Sequence, residues 1–110
     1  MPPTSLGPLE LTIILAVARL GDDAYGLSIR RDISERTGRD YSVGAVYTTL
    51  ERLAEKGLIS SRSTAPLPIR GGRSRRQFRL NAAGRRAIQD AEREARSVWA
   101  GVGGLTAEPT

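Results

Sequence analysis

The spacing of apolar residues changes once along this chain, and that change limits its fold more than any other feature. From Leu9 to Lys56 apolar side chains recur at helical intervals, and after Gly57 the period falls toward two. Leu9, Leu11, Ile13, Ile14, Leu15, Ala16, Val17, Ala18 and Leu20 cover every side of a first helix, opened by Gly7-Pro8 and ended by Gly21. A helix that is apolar all round must be covered all round. In a chain of 110 residues one side can face the core, and the other then needs a second chain. Asp22 or Asp23 is expected to cap a second helix over 24–37, with Tyr25, Ile29 and Ile33 as its stripe, Leu27 off it and Gly38 as its stop. After a turn at 39–41, Ser42 caps a third helix through Lys56, with Val43, Val46, Tyr47, Leu50, Leu53 and Ala54 as its buried face. Gly57 is expected in the left-handed region, with Leu58 packing back on the helix end.

Residues 58–63 and 75–80 read as strands joined through Pro66, Pro68, Gly71 and Gly72. In the second strand Gln77 and Arg79 share one face, Phe78 and Leu80 the other. Asn81 is expected to cap a last helix over 82–100, and Gly101, Gly103, Gly104 and Pro109 mark a frayed tail. The expected fold is mainly α with a small β-hairpin, in the order helix, helix, helix, strand, strand, helix. It divides into a domain at 1–80, a C-terminal helix at 81–100 and a flexible tail at 101–110.

Histidine and cysteine are both absent, which removes imidazole bases, thiolate nucleophiles, disulfides and the usual zinc ligands together. The carboxylates Asp22, Asp23, Asp32, Glu35, Glu92 and Glu94 fall at polar helix-surface positions, where solvated acids outnumber catalytic pairs. No enzyme, metal or cofactor is expected. No apolar run approaches the length of a membrane span, and no basic segment precedes the apolar stretch at 11–20, so a cytoplasmic protein is expected.

The formal net charge of +5 favours a polyanionic partner, and its distribution says more. Between Gly57 and Gln89 there is no Asp or Glu, while Arg62, Arg70, Arg73, Arg75, Arg76, Arg79, Arg85 and Arg86 fall there. A merely solvated face mixes signs, so a one-signed block without local compensation points to phosphate contact. The second and third helices form a helix-turn-helix, a weak signal alone. The outer face of the third strengthens it: Ser42, Gly44, Ala45, Thr48 and Arg52 lie opposite the buried stripe, and the longer Glu51, Glu55 and Lys56 come late. Small and hydroxyl side chains let a helix sit deep in a major groove about 12 Å wide. The plainer alternative, a solvent-facing helix, would carry Glu and Lys near its start as well. Tyr47 sits at the edge of the stripe, where its ring can pack while its hydroxyl reaches a phosphate, or it is simply a core tyrosine. Arg70, Arg73, Arg75 and Arg76 form the root and tip of a two-stranded ribbon that can lie on the backbone or enter a minor groove; the alternative is a basic loop without partners.

The last helix carries Ile88, Ala91, Ala95, Val98 and Val102 at spacings of three and four, a heptad seam too short to hold two chains alone. Joined to Leu11, Ile14, Leu15 and Ala18 of the first helix, and with Trp99, it makes a dimer surface; packing onto its own domain is the alternative.

Taken in order, these residues resemble the PadR family of bacterial winged-helix regulators. The resemblance spans about 6–88 and rests on Leu9-Glu10-Leu11, Ala24-Tyr25-Gly26, Gly44-Ala45-Val46-Tyr47, Leu50, Arg52-Leu53 and Lys56-Gly57-Leu58-Ile59. It continues in Gly72-Arg73, Gln77-Phe78-Arg79-Leu80-Asn81, Gly84 and Ile88. A Tyr is more usual where Phe78 stands and a Thr where Asn81 stands, and the short final helix resembles the compact branch of the family. The resemblance implies a winged helix-turn-helix with 42–56 as recognition helix, Tyr47 as a DNA contact, 72–75 as wing, and a last helix that dimerises with the partner's first. Some members bind flat hydrophobic compounds between subunits, for which Trp99 is the sole aromatic candidate on the last helix, against the plainer reading of a packing tryptophan. The function so implied is that of a homodimeric bacterial repressor on a roughly palindromic double-stranded DNA operator, with two recognition helices about 34–36 Å apart. The alternative is a winged-helix module that binds protein without reading DNA.

Overall fold

The computed structural model describes residues 5–64 and 75–106. Its elements are α1 (Pro8–Leu20), a single 3₁₀ turn (Gly21–Asp23), α2 (Gly26–Thr37), α3 (Val43–Glu55), β1 (Ile59–Ser63), β2 (Arg76–Leu80), α4 (Ala82–Trp99) and a short α5 (Gly103–Thr106). The fold is mainly helical with a two-stranded antiparallel hairpin, as the change of period predicts. Only the helical turn at Gly103–Thr106, in glycine-rich sequence, was not expected.

Local chemistry sets most boundaries. Pro8 stands in the first turn of α1, where its missing N–H costs nothing, and the Gly7 N–H donates to Glu10 Oε1 at 2.9 Å. Ser42 caps α3 by accepting from the Ala45 N–H at 3.1 Å. Gly57, at φ +75°, ends it in a Schellman arrangement: the Leu58 N–H donates to the Leu53 carbonyl (3.0 Å) and the Gly57 N–H to that of Ala54 (2.9 Å).

Two expected caps are corrected. Neither Asp22 nor Asp23 caps α2, because both sit in the 3₁₀ turn; Tyr25 takes the N-cap position, and its own N–H donates to Ser28 Oγ at 2.9 Å. Asn81 does precede α4, but its side chain turns away from the helix. Its Nδ2 donates to the Gly57 carbonyl at 2.8 Å, tying the start of α4 to the end of α3.

β1 and β2 pair from Ile59 with Leu80 to Ser63 with Arg76, and the Thr64 N–H extends the ladder to the Arg75 carbonyl at 2.7 Å. On the other edge of β2 the Phe78 N–H donates to the Ala24 carbonyl at 2.8 Å, and Tyr25 bridges Gln77. The link between α1 and α2 therefore acts as a third, minimal strand. This explains why Gln77, expected on an outer face, is buried: its Nε2 donates to the Asp22 carbonyl, and its Oε1 accepts from Arg62 Nε at 2.8 Å.

The core is built from Ile13, Ile14, Val17, Ile29, Ile33, Val46, Leu50, Leu53 and Phe78, each burial worth roughly 1.5–3 kcal/mol. α1 runs through the middle, touched by α2, α3, β2 and α4. Its own domain thus covers most of its sides, leaving Leu11, Leu15 and Ala18 as a half-buried to exposed stripe on one side. Val43, expected in the buried face of α3, is exposed because it opens the helix ahead of the first core contact at Val46. Leu27 is exposed on α2, consistent with its place off the Tyr25–Ile29–Ile33 stripe.

Candidate nucleic-acid interface

The outer face of α3 is a smooth ridge. Ser42, Gly44, Thr48 and Arg52 are exposed and Ala45 is half-buried, while Val46, Thr49, Leu50 and Leu53 hold the opposite side in the core. Thr49 is the one polar side chain on that inner side, and it is satisfied by donating to the Ala45 carbonyl at 2.8 Å. A Cβ built at Gly44 would meet nothing within 4 Å, so the first turn of α3 is open to an approaching surface.

Tyr47 fixes how α3 sits on α2. Its ring meets Phe78 edge-on with centroids 6.3 Å apart, and its hydroxyl reaches the start of α2 beside Gly26. A Cβ at Gly26 would lie 2.4 Å from that hydroxyl, so only glycine admits the tyrosine there. The glycine was legible as part of Ala24-Tyr25-Gly26, but its steric role was not, because its partner is 21 positions away in sequence. The two readings of Tyr47 are compatible in this geometry: the ring packs, and the residue as a whole is half-buried rather than enclosed.

The rear of α3 is anchored as well. Lys56 Nζ lies 2.9 Å from Glu10 Oε1 and 2.8 Å from Oε2, and donates to the Ser5 carbonyl at 3.1 Å. Burial pushes the Glu10 carboxyl up, but hydrogen bonds from Lys56 and the Gly7 N–H, with the charges of Lys56 and Arg52, outweigh it and leave the group below its usual value. On the far side, the hydrogen bond from Arg19 holds Asp32 below the usual range; burial opposes this, and Arg36 assists it. These pairs join α1 to α3 and to α2, so the three helices present the ridge as one body.

Beside the ridge stands the root of the hairpin. The Arg75 guanidinium lies 4.0 Å over the Tyr25 ring, a stacking worth about 0.5–1 kcal/mol at an exposed site. Arg76 pairs with Glu51 of α3, donates to Ser61 Oγ at 2.8 Å, and lies 5.3 Å over the Phe78 ring. Together Tyr25, Gly26, Leu27, Tyr47, Arg31 and the two arginines border a groove of about 660 Å³ between the start of α2 and the hairpin.

The arginine block is not uncompensated, as its sequence suggests. Glu51 meets Arg76 and Asp22 meets Arg79 at 3.4 Å, both acids arriving from outside the block through the fold. Arg62 is engaged with Gln77. Of the expected contact residues, the structure brings Ser42, Gly44, Ala45, Tyr47, Thr48, Arg52, Arg75 and Arg76 to one side of α3 and the hairpin root. Arg70 and Arg73, with the tip of the expected wing, lie outside the described residues. Arg31, Gly26 and Glu51 were not singled out by sequence reasoning as parts of this surface.

The expected dimer surface is corrected at one residue. Ile14 is fully enclosed by its own chain and has no area to offer a partner. Leu11 and Leu15 are half-buried and Ala18 is exposed; on α4, Ile88 and Ala91 are half-buried and Ala95 exposed, while Val98 and Trp99 are 73% and 58% exposed. Among the described residues there is no cluster of acids able to hold a metal ion, and no helix long and apolar enough to cross a membrane.

Three packed helices, with an open-faced third helix flanked by an antiparallel hairpin, define a winged helix-turn-helix protein. The model of the PadR-like family of transcriptional regulators matches residues 14–90, and the chain belongs to that family, one of DNA-binding transcription regulators rather than enzymes. No curated protein sequence matches it. Solved structures share its fold. A PadR family transcription regulator from Clostridium difficile superposes with a TM-score of 0.74 at 22% identity, covering 92% of this chain and 100% of that one. A PadR-like transcriptional regulator from Bacillus cereus gives 0.71 at 20% identity, covering 91% and 93%. A PadR family regulator from Eggerthella lenta gives 0.67 at 24% identity, covering 92% and 89%.

Proposed function

We propose that the chain is a homodimeric transcriptional repressor that inserts α3 into the major groove of a roughly palindromic operator. The observation that carries this reading is the ridge of Ser42, Gly44, Ala45 and Thr48, which keeps bulky side chains off the first two turns of α3 and places Arg52 behind them. In such a docking Thr48 and Arg52 face base edges, where a bidentate arginine on guanine is worth about 1–3 kcal/mol of discrimination. Ser42 and the Tyr47 hydroxyl lie toward flanking phosphates, and Arg75, with Arg70 and Arg73 of residues 66–76, lies along the backbone or in the minor groove.

Dimerisation would set Leu11, Leu15 and Ala18 of one protomer against Ile88, Ala91, Ala95, Val98 and Trp99 of the other. Two α3 helices would then stand about 34–36 Å apart, the spacing of successive major grooves. Repression follows from occupying a promoter. Gel shifts with the chain's own upstream DNA test the reading. Arg52→Ala should reduce preference for the operator over competitor DNA by about 10-fold or more, from the loss of one base contact per half-site. An unchanged preference would remove Arg52 and this face of α3 from the reading surface.

A further inference from the structure

Glu51 is the one acid on the exposed side of α3 ahead of its last turn, three residues past Thr48 and next to Arg52. On a surface that faces DNA an acid is a liability, since the duplex presents a negative charge about every 1.7 Å along its axis. The fold answers with Arg76, whose Nη1 pairs with the Glu51 carboxylate across the gap between α3 and β2. The rest of the Arg76 head is supported from the hairpin: Nη2 donates to Ser61 Oγ at 2.8 Å, and the guanidinium lies 5.3 Å over the Phe78 ring. The pair itself is open to water, with side-chain exposures of 41% for Arg76 and 50% for Glu51. An exposed pair of this kind is weak, and a phosphate offers guanidinium the same forked acceptor as a carboxylate.

We infer that in the free protein Glu51 occupies Arg76 in the place of a DNA phosphate, and that DNA binding exchanges the carboxylate for the phosphate. This rests on the DNA-binding reading above. Glu51 is thereby a brake on binding to any duplex. It withholds one cation per protomer, and it adds repulsion once Arg76 has left. The hairpin contacts to Ser61 and Phe78 keep the guanidinium beside α3 during the exchange, so Arg76 can move from one acceptor to the other by turning its head rather than by moving the strand.

The test is fluorescence anisotropy across a salt series with a mixed-sequence duplex about three helical turns long. The proteins are the unmodified chain, Glu51→Gln, Arg76→Gln and the double variant. Glu51→Gln should bind more tightly, and its plot of log affinity against log salt should steepen by about 0.9 per protomer, the signature of one more neutralised phosphate. In the Arg76→Gln background the same change should leave the slope where it was. An equal steepening in both backgrounds, or none in either, overturns the inference while leaving DNA binding intact. If the unmodified chain binds no duplex at any salt concentration, the DNA-binding reading itself falls, and the exchange with it.

Discussion

The two halves of α4 are made from similar residues and live in different surroundings. In the first half Gly84 and Ala87 are buried against the chain's own domain, with Ala83 and Ile88 packed alongside. In the second half nothing of the same chain covers Val98 or Trp99, although the apolar spacing continues unbroken from Ile88 through Ala91 and Ala95. The strongly amphipathic pattern is the same; what differs is whether the domain reaches it. The first half is explained by the fold of one protomer, and the second half is not. A helix that carries an apolar stripe beyond its own domain exposes it at roughly 25 cal/mol per Å², a cost removed only if another surface covers it.

The sharpest way to break this comparison is at Gly84. A Cβ there would lie 2.2 Å from the Leu58 carbonyl oxygen and 2.8 Å from Leu80 Cδ1. The first contact is backbone that is itself committed, since the Leu58 carbonyl accepts from the Asn81 N–H at 3.0 Å. Gly84→Ala should therefore force α4 away from β1 and destabilise the chain by about 3 kcal/mol, at the upper end for overpacking. Urea denaturation measures this. A loss below about 1 kcal/mol would mean that α4 docks more loosely than its first half indicates.

That contact also shows what could be read from the sequence and what could not. The helices, the left-handed stop at Gly57, the hairpin and the stripe on α4 all follow from residues close in sequence, and they were legible. So was the ridge of α3, because helical spacing alone separates Ser42, Gly44 and Thr48 from Val46 and Leu50. What was not legible comes from tertiary contacts. Gly84 and Gly26 look like ordinary helix glycines until Leu58 and Tyr47 arrive against them. Ile14 is as apolar as Leu15, and only the packing of neighbouring elements around α1 sends one into the core and leaves the other at its edge. Glu51 and Asp22 neutralise an arginine block from which they are distant in the chain, so charge counted along the sequence overstated the free positive charge.

At the other end of α4, Val98→Glu combined with Trp99→Glu should leave the monomer's intrinsic stability within about 0.5 kcal/mol, as surface changes do. If a second copy covers this stripe, the double variant should sediment as a monomer where the unmodified chain is a dimer. Its unfolding midpoint should also lose its dependence on protein concentration. The outcome that would sink the dimer surface is an unmodified chain that sediments as a monomer at micromolar concentration, or a variant whose association is unaltered.

The smallest expected effect lies in the domain body, away from α4 altogether, and it is a control on the comparison. Glu10 and Asp32 both have carboxyls held below their ordinary values of 4.5 and 3.8. A group whose folded pKa is depressed adds stability that is complete above its unfolded value and is lost as pH falls through the folded one. Both groups are partly open to solvent, so each contribution is screened to under about 1 kcal/mol. Glu10→Gln should thus be less stable than the unmodified chain near neutrality, with the gap closing as pH falls below 4.5, and Asp32→Asn should behave likewise below 3.8. Denaturation at a series of pH values measures both gaps. Because these acids tie α1 to α3 and to α2, the same titration should leave the oligomeric state of Val98→Glu with Trp99→Glu unmoved. A gap that persists undiminished in acid would show that the lost contact was packing and not charge.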